Sequence, residues 1–365
     1  GVLTAMPRSR AAQLALFAAA VVAVQLAAGA AGKAFWLTQL TMTAYAGLVV
    51  IGLCLFMGYA GQISLGHAGF FAIGGYGSAL LTTLDLTPWR AGGPVALLDR
   101  AGLLVARPDL YGGDLLTVRP WPAAVAAVLL ALAVAALIGV PVLRLKGHYL
   151  AMATLGFGTI VSAVVVGSER LGAADGISGV PPFEVLPGLE VAGGGAGRIS
   201  NYYLAWGLVG LGMLLLTNLV RSRAGRALRA IHGAEDAAGA MGIDAARAKL
   251  LAFVLSAGFA AVAGVFLTHY TGGIGPSEAS VMKSVRYVAI VAVGGMGSLW
   301  GTLLAGSVLQ FLSLRGVFGT LDDAVFGAVL IAVMLLAPDG VLGIGLPAPL
   351  RAALGRRAAP GQGGR

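Results

Sequence analysis

The sequence predicts an all-α, polytopic transmembrane bundle of about ten spanning or half-spanning segments, with both termini cytoplasmic. Three observations carry that prediction. Only 11% of the 365 residues are charged, 58% are hydrophobic, and the mean hydropathy is +0.89. A soluble domain carries about 25% charged residues, so most of this surface must face lipid rather than water. Apolar runs near the ~20 residues that cross a bilayer recur along the chain, and they exclude the two soluble domains its length would allow. Finally, lysines and arginines fall mostly in the short connections between those runs, where they set topology.

Ten segments follow in order, near 11–31, 35–57, 61–84, 121–143, 149–167, 202–220, 250–270, 284–298, 299–314 and 321–337. The first follows Arg8 and Arg10, as a signal peptide would, but its apolar run exceeds the ~7–15 residues of a signal core. It is read as a retained helix. The segments at 61–84, 284–298 and 299–314 are short or broken by glycine. With the N-terminus inside, the cytoplasmic side receives two basic residues before the first span, two at 144–146, six across 221–249 and four after the tenth span. Four of the basic residues left outside, Arg90, Arg100, Arg107 and Arg119, lie in one long connection where the bias weakens. The chain therefore divides into a membrane domain at 1–347 and a basic cytoplasmic tail at 348–365. The domain includes an external connection at 85–120 and a cytoplasmic loop at 221–249.

Glycine is frequent, at 57 residues. In a bilayer it permits close helix approach and broken helices. The single cysteine, Cys54, lies in an apolar run, so no intrachain disulfide forms and no metal cluster is expected. The net charge of +9 does not indicate a nucleic-acid partner, because the charge sits in topology-setting loops.

The cytoplasmic loop reads RSRAGRALRAIHGAEDAAGAMGIDAARAK. Residues 223–232 form a good helix, closed at Gly233. Glu235 and Asp236 open a second short helix, where negative charge suits the dipole. Ala237, Ala238, Gly239 and Ala240 give it a smooth surface, and Gly242 ends it. Taken alone, the loop is a connector held in the cytoplasm by its arginines.

A closer match exists. GYAGQISLGHAGFFAIGGYGSALL (58–81), RLKGHYLAMATLGFGTIV (144–161), LGAADGISGVP (171–181), the stretch 225–243, HYTGGIGPSEAS (269–280), VGGMGSLWGTLLAG (293–306) and PDGVLGI (338–344) resemble, in order, the signatures of branched-chain amino acid ABC permeases. The second run points to the M-type subunit. Each glycine pattern alone is weak, but this succession covers roughly 290 residues.

The resemblance implies a permease of the bacterial inner (plasma) membrane, paired with an H-type permease, two cytoplasmic ATPase subunits and a periplasmic solute-binding protein. It makes 221–249 the loop that docks in a cleft of the ATPase, through Gly225, Arg226, Ala227, Arg229, Ala237, Ala238 and Gly242. Branched-chain amino acids are the substrate it implies first, with urea or short amides next. Where relatives often carry glutamate after the LGFG run this chain has Thr159, so that carboxylate is missing or supplied elsewhere.

Polar groups at membrane depth give path candidates. Gln62, Ser64 and His67 lie beside glycines in a broken segment, and Thr154 and Thr159 lie on a span. Such groups face the protein interior or a cavity and mark substrate routes, or else bond helix to helix. No span carries a series of Asp and Glu for coupling ions, which argues against a secondary transporter or channel, the rival reading from another class. No lysine completes a GxxxxGK[ST] loop, so the chain needs no cofactor of its own and ATP belongs to a partner. HExxH and GxSxG are absent, and no enzyme chemistry is visible.

Overall fold

The computed structural model describes residues 10–89, 93–108, 114–145, 147–195 and 197–336. The closing motif at 338–344, the tail at 348–365, and Arg8, Arg90 and Lys146 lie outside the described residues. Each of the ten expected segments is a helix. They are α1 (Arg10–Ala30), α2 (Trp36–Cys54), α3 (His67–Thr83), α5 (Pro120–Val142), α6 (His148–Gly167), α7 (Arg198–Arg221), α10 (Ala245–Thr271), α11 (Val281–Gly294), α12 (Leu299–Leu314) and α13 (Asp322–Leu336). Among the described residues there are also three short α-helices: α4 (Gly93–Arg100) in the long connection, and α8 (Arg223–Gly233) and α9 (Glu235–Ala240) in the loop 221–249.

Among the described residues, six helices are long and apolar enough to cross a bilayer, and α12 is a shorter apolar one. With 17, 14 and 15 residues, α3, α11 and α13 are shorter than the ~20 needed to cross untilted. The weakness read at 61–84 is a true break: α2 runs on as one π-turn, Leu55–Tyr59, and residues 60–66 are not helical.

Contacts at the helix ends sort the connections into two groups. Tyr59 donates to the Gly297 carbonyl between α11 and α12, and a Cβ on Gly61 would stand 3.0 Å from His232 Nδ1 in α8. At the other end, Gln39 donates to the Leu314 carbonyl at 3.1 Å, and Arg286 pairs with Asp322 and Asp323. There Lys33 and Arg315 also sit over the Trp36 ring, the aromatic–cation arrangement of a membrane interface.

Among the described residues, the helical bundle carries three two-stranded antiparallel pairings between its helices. β1 (Leu104–Pro108) pairs with β2 (Asp114–Val118), β3 (Ile177–Ser178) with β6 (Gly273–Ile274), and β4 (Phe183–Leu186) with β5 (Leu189–Val191). Strand pairing gives the connecting backbone hydrogen-bond partners where it leaves the helices. The described parts of the connection 85–120 pack together, with Leu104, Leu116 and Val118 against Leu81, Leu86 and Leu98. Its first turn is tied by Asp85, which accepts from Thr87 N at 2.9 Å; the Thr87 hydroxyl and N–H hold that carboxyl below the usual carboxylate range.

The core is α2, α3 and α10. α2 is almost wholly enclosed, whereas α1 lies outside and is held by Phe17 against Trp206 and by Tyr202 donating to the Val21 carbonyl. α5 turns Ala127, Ala131, Ala135 and Gly139 inward at a four-residue spacing and Leu129, Leu130 and Leu137 outward. Small residues on the inner face let helices approach where lipid supplies no hydrophobic drive. The approach is closest between α3 and α10: a Cβ on Gly264 would lie 2.0 Å from the Phe71 carbonyl oxygen, and one on Gly74 would lie 2.2 Å from that of Ala261.

Gly264→Val should therefore force two backbones apart and cost at least the ~1–3 kcal/mol of an overpacked core. Gly207→Val, on an α7 face with nothing within 4 Å, is the control. Thermal unfolding in detergent compares them. Equal melting temperatures for the two variants would mean that the contact does not set helix spacing.

Candidate functional site

Two regions hold the expected site residues: the break at 60–66 and the loop 221–249. At the break, Gly61 has a φ of +68°, a conformation open to glycine at little strain, and it turns the chain beneath His232. Backbone donors exposed by the break must find partners inside the protein, because hydrocarbon supplies none. Hydroxyls supply them. Leu65 N donates to Thr154 Oγ1 of α6 at 3.0 Å, and Ala68 N donates to Ser284 Oγ of α11 at 3.1 Å. His67 opens α3 with its ring bridging two serines: Nδ1 lies 3.1 Å from Ser64 Oγ, and Nε2 lies 2.6 Å from Ser256 Oγ of α10.

Ser64, His67 and Thr154 are thus fully buried and bonded within the chain. In this conformation they tie helices together. Gln62 is half-buried and reaches only the Ala60 carbonyl. Thr159 faces outward from α6, its hydroxyl returned to the Leu155 and Gly156 carbonyls. Ser256 and Ser284, which complete the cluster, escaped the sequence reading. A serine within an apolar helix signals a bond without naming its partner.

A second histidine repeats the device at the far end of the same helix pair. His269 Nε2 lies 2.8 Å from Ser78 Oγ of α3, and Nδ1 lies 2.7 Å from the Pro181 carbonyl. α3 and α10 are therefore pinned at both ends around their glycine contact.

In the loop, α8 buries Gly225, Leu228 and Ile231 against the bundle and exposes Arg223, Arg226 and Arg229. Ser222 caps its start, and Ala227 is half-buried. α9 presents Ala237, Gly239 and Ala240 outward, while Ala238 is only 4% exposed and packs inward. A larger side chain at 238 would have to be accommodated inside this chain, so the smooth outer face belongs to its neighbours. Gly242, at φ +83°, turns the chain out of α9, and Met241 just before it is 84% exposed, an apolar tip. α9 is anchored by an ion pair: Glu235 Oε1 lies 2.5 Å from Nζ of Lys249, and the lysine side chain is 2% exposed. Lys249 stands in the first turns of α10, so this pair joins α9 directly to the helix that carries Ser256. Among the described residues no group of His, Cys, Asp or Glu could hold a metal ion.

The comparisons with known proteins bear on this arrangement. The family model described as "Branched-chain amino acid transport system / permease component" matches residues 35–335, which include the break, α8, α9 and the whole of α10. The chain belongs to this permease family. It is 32% identical over 324 residues to the high-affinity branched-chain amino acid transport permease protein LivM of Salmonella typhimurium, covering 83% of this chain and 68% of that one. LivM of Escherichia coli K12 is 31% identical over the same shares. LivH of Escherichia coli K12, the other permease protein of that name, is 37% identical over 142 residues, or 38% of this chain and 46% of that one. No solved structure matches. The chain is thus a multi-pass membrane protein of a transport-permease family, and its similarity to LivM agrees with the M-type character that the run at 144–161 implied.

His67→Ala should leave the Ser256 hydroxyl buried without its imidazole partner, at about 1–3 kcal/mol, while Ser64 keeps the Gly66 N–H. Ser256→Ala in the same background should then cost little more, since the two side chains form one unit. Melting temperatures of the wild type, both single variants and the double variant form the cycle. Strict additivity would deny the tie.

Proposed function

We propose that this chain is the M-type permease subunit of an ATP-binding-cassette importer that moves branched-chain amino acids across the bacterial inner membrane. Its relatives' names supply the substrate class and a second, H-type permease as partner. Two cytoplasmic ATPase subunits, which bind and hydrolyse the ATP, and a periplasmic binding protein complete the machine. The observation that carries the mechanism is the unbroken contact from the loop 221–249 to the break at 60–66. His232 of α8 lies against Gly61, and Glu235 of α9 holds Lys249 of α10, whose helix reaches His67 through Ser256.

ATPase closure moves α8 and α9 as a unit, because their buried faces are fixed to α7 and α10. The exposed arginines of α8, with Ala237, Gly239 and Ala240 of α9, meet the ATPase. Arginine suits acidic groups on such a partner, and the small residues let its surface come close. The movement tilts α10 against α3 and loads the break, where the backbone has least helical support. Binding energy that differs between the open and closed ATPase is what shifts the permease between outward and inward states.

The complete transporter in proteoliposomes should take up leucine only with ATP and ATPase present. Uptake that persists without the ATPase would return the chain to the secondary-transporter class. Arg229→Glu, and separately Ala240→Trp, should abolish co-purification of the ATPase while the permease still inserts. Normal assembly in both would remove the docking assignment. Glu235→Gln, which leaves the Lys249 ammonium buried without its counter-charge, should keep ATP hydrolysis but lower leucine transported per ATP several-fold. An unchanged ratio would take the ion pair out of the coupling route.

A further inference from the structure

At the end of the bundle opposite the loop 221–249, a cavity of about 320 Å³ opens between α11, the end of α12, the start of α13 and the turn Pro276–Ala279. That volume lies in the ~300–1,000 Å³ range of small-molecule sites. Its wall carries charges of both signs: Glu278, Lys283, Arg286 and Asp323. Lys283 pairs with Glu278, and Arg286 places Nη2 2.5 Å from Asp323 Oδ1 and Nη1 2.7 Å from Asp322 Oδ2. Both cations are held over rings, Lys283 at 5.0 Å from Phe71 and Arg286 at 5.2 Å from Phe326. Met282 and Leu314 supply an apolar wall.

We infer that this cavity is an entry site for the zwitterionic head of a free α-amino acid. Its carboxylate is taken by Lys283 and Arg286, its ammonium by Glu278 and Asp323, and its side chain by Met282 and Leu314. The inference rests on the import reading and narrows it. All four charged wall residues are partly exposed, and ion pairs that solvent reaches are weaker than enclosed ones. A zwitterion can therefore enter by exchanging partners without changing the balance of charge around the cavity. A simple anion or cation would shift that balance by one charge, and an uncharged amide has none to exchange. The site's cations and anions are fixed on different elements, so the wall reads the head group's two ends separately. Such weak pairs also permit release, as a transport site must.

The test uses the complete transporter with Ser277→Cys at the cavity wall; the native Cys54 is buried. Modification of the new thiol on this chain by a charged thiosulfonate is followed with and without L-leucine. At twice its Kd, leucine should slow modification about threefold by occupancy. Leucinamide, which lacks the carboxylate, and 4-methylpentanoate, which lacks the ammonium, should not slow it at the same concentration. Arg286→Gln in this background should abolish the protection, read as the ratio of the modification rates with and without leucine in the same variant. Equal protection by all three compounds, or persistence of leucine protection in Arg286→Gln, would overturn the assignment. ATP-dependent leucine uptake is measured on the same vesicles. Uptake without protection would overturn the site and leave the importer standing, whereas protection without uptake would support the site and remove the importer.

Discussion

The α3–α10 contact is the constraint to which the other parts of the molecule are fitted. In lipid, two apolar helices gain nothing from merely hiding side chains, so association rests on packing and on hydrogen bonds between helices. Gly74 and Gly264 remove the atoms that would separate the two backbones. His67–Ser256 and Ser78–His269 then close the contact at its two ends. α2 and α5 pack around this pair, α5 through its alanine stripe, and the outer helices follow. The β3–β6 pairing brings the loop after α6 to the turn after α10, and the Pro181 carbonyl fixes His269 there.

The break before α3 is tolerated because other helices supply what the missing helical turn would have supplied. Thr154 and Ser284 accept the orphaned backbone donors, and Ser64 and Ser256 flank the imidazole. A segment held by side-chain hydroxyls rather than by its own ladder can change shape by trading those bonds. The loop 221–249 abuts it at Gly61 and reaches it through α10. Contiguity of this kind supplies the physical route for coupling, and a difference in energy between two states is what drives movement along it.

The two ends of the bundle use charge differently. At the loop end, Lys249 is enclosed and paired with one carboxylate, while the arginines of α8 point away from the bundle. At the opposite end, Arg286 and Lys283 lie in a cavity among carboxylates that solvent also reaches. Enclosed charge resists rearrangement because an unpaired ion would be stranded. Charge that solvent reaches rearranges more readily.

Much of the molecule was legible in one dimension. Apolar length and the placement of lysine and arginine are properties of consecutive residues, so ten segments could be located and each is a helix. The two helices of the loop were legible for the same reason: Glu235 opens α9, and Gly233 and Gly242 mark the helix ends. What chemistry the polar residues perform was not. His67 has a partner 189 positions away, Lys249 is a buried strut rather than an exposed topological charge, and Ala238 turns inward from a face its neighbours present. The hairpin within 85–120 and the cavity of opposed charges likewise arise from segments meeting in space. Hydropathy along the chain reports the free energy of placing each residue in lipid or water, and so it determined which segments enter the membrane. Which buried group meets which depends on helix rotation and register, and only the tertiary structure decided that.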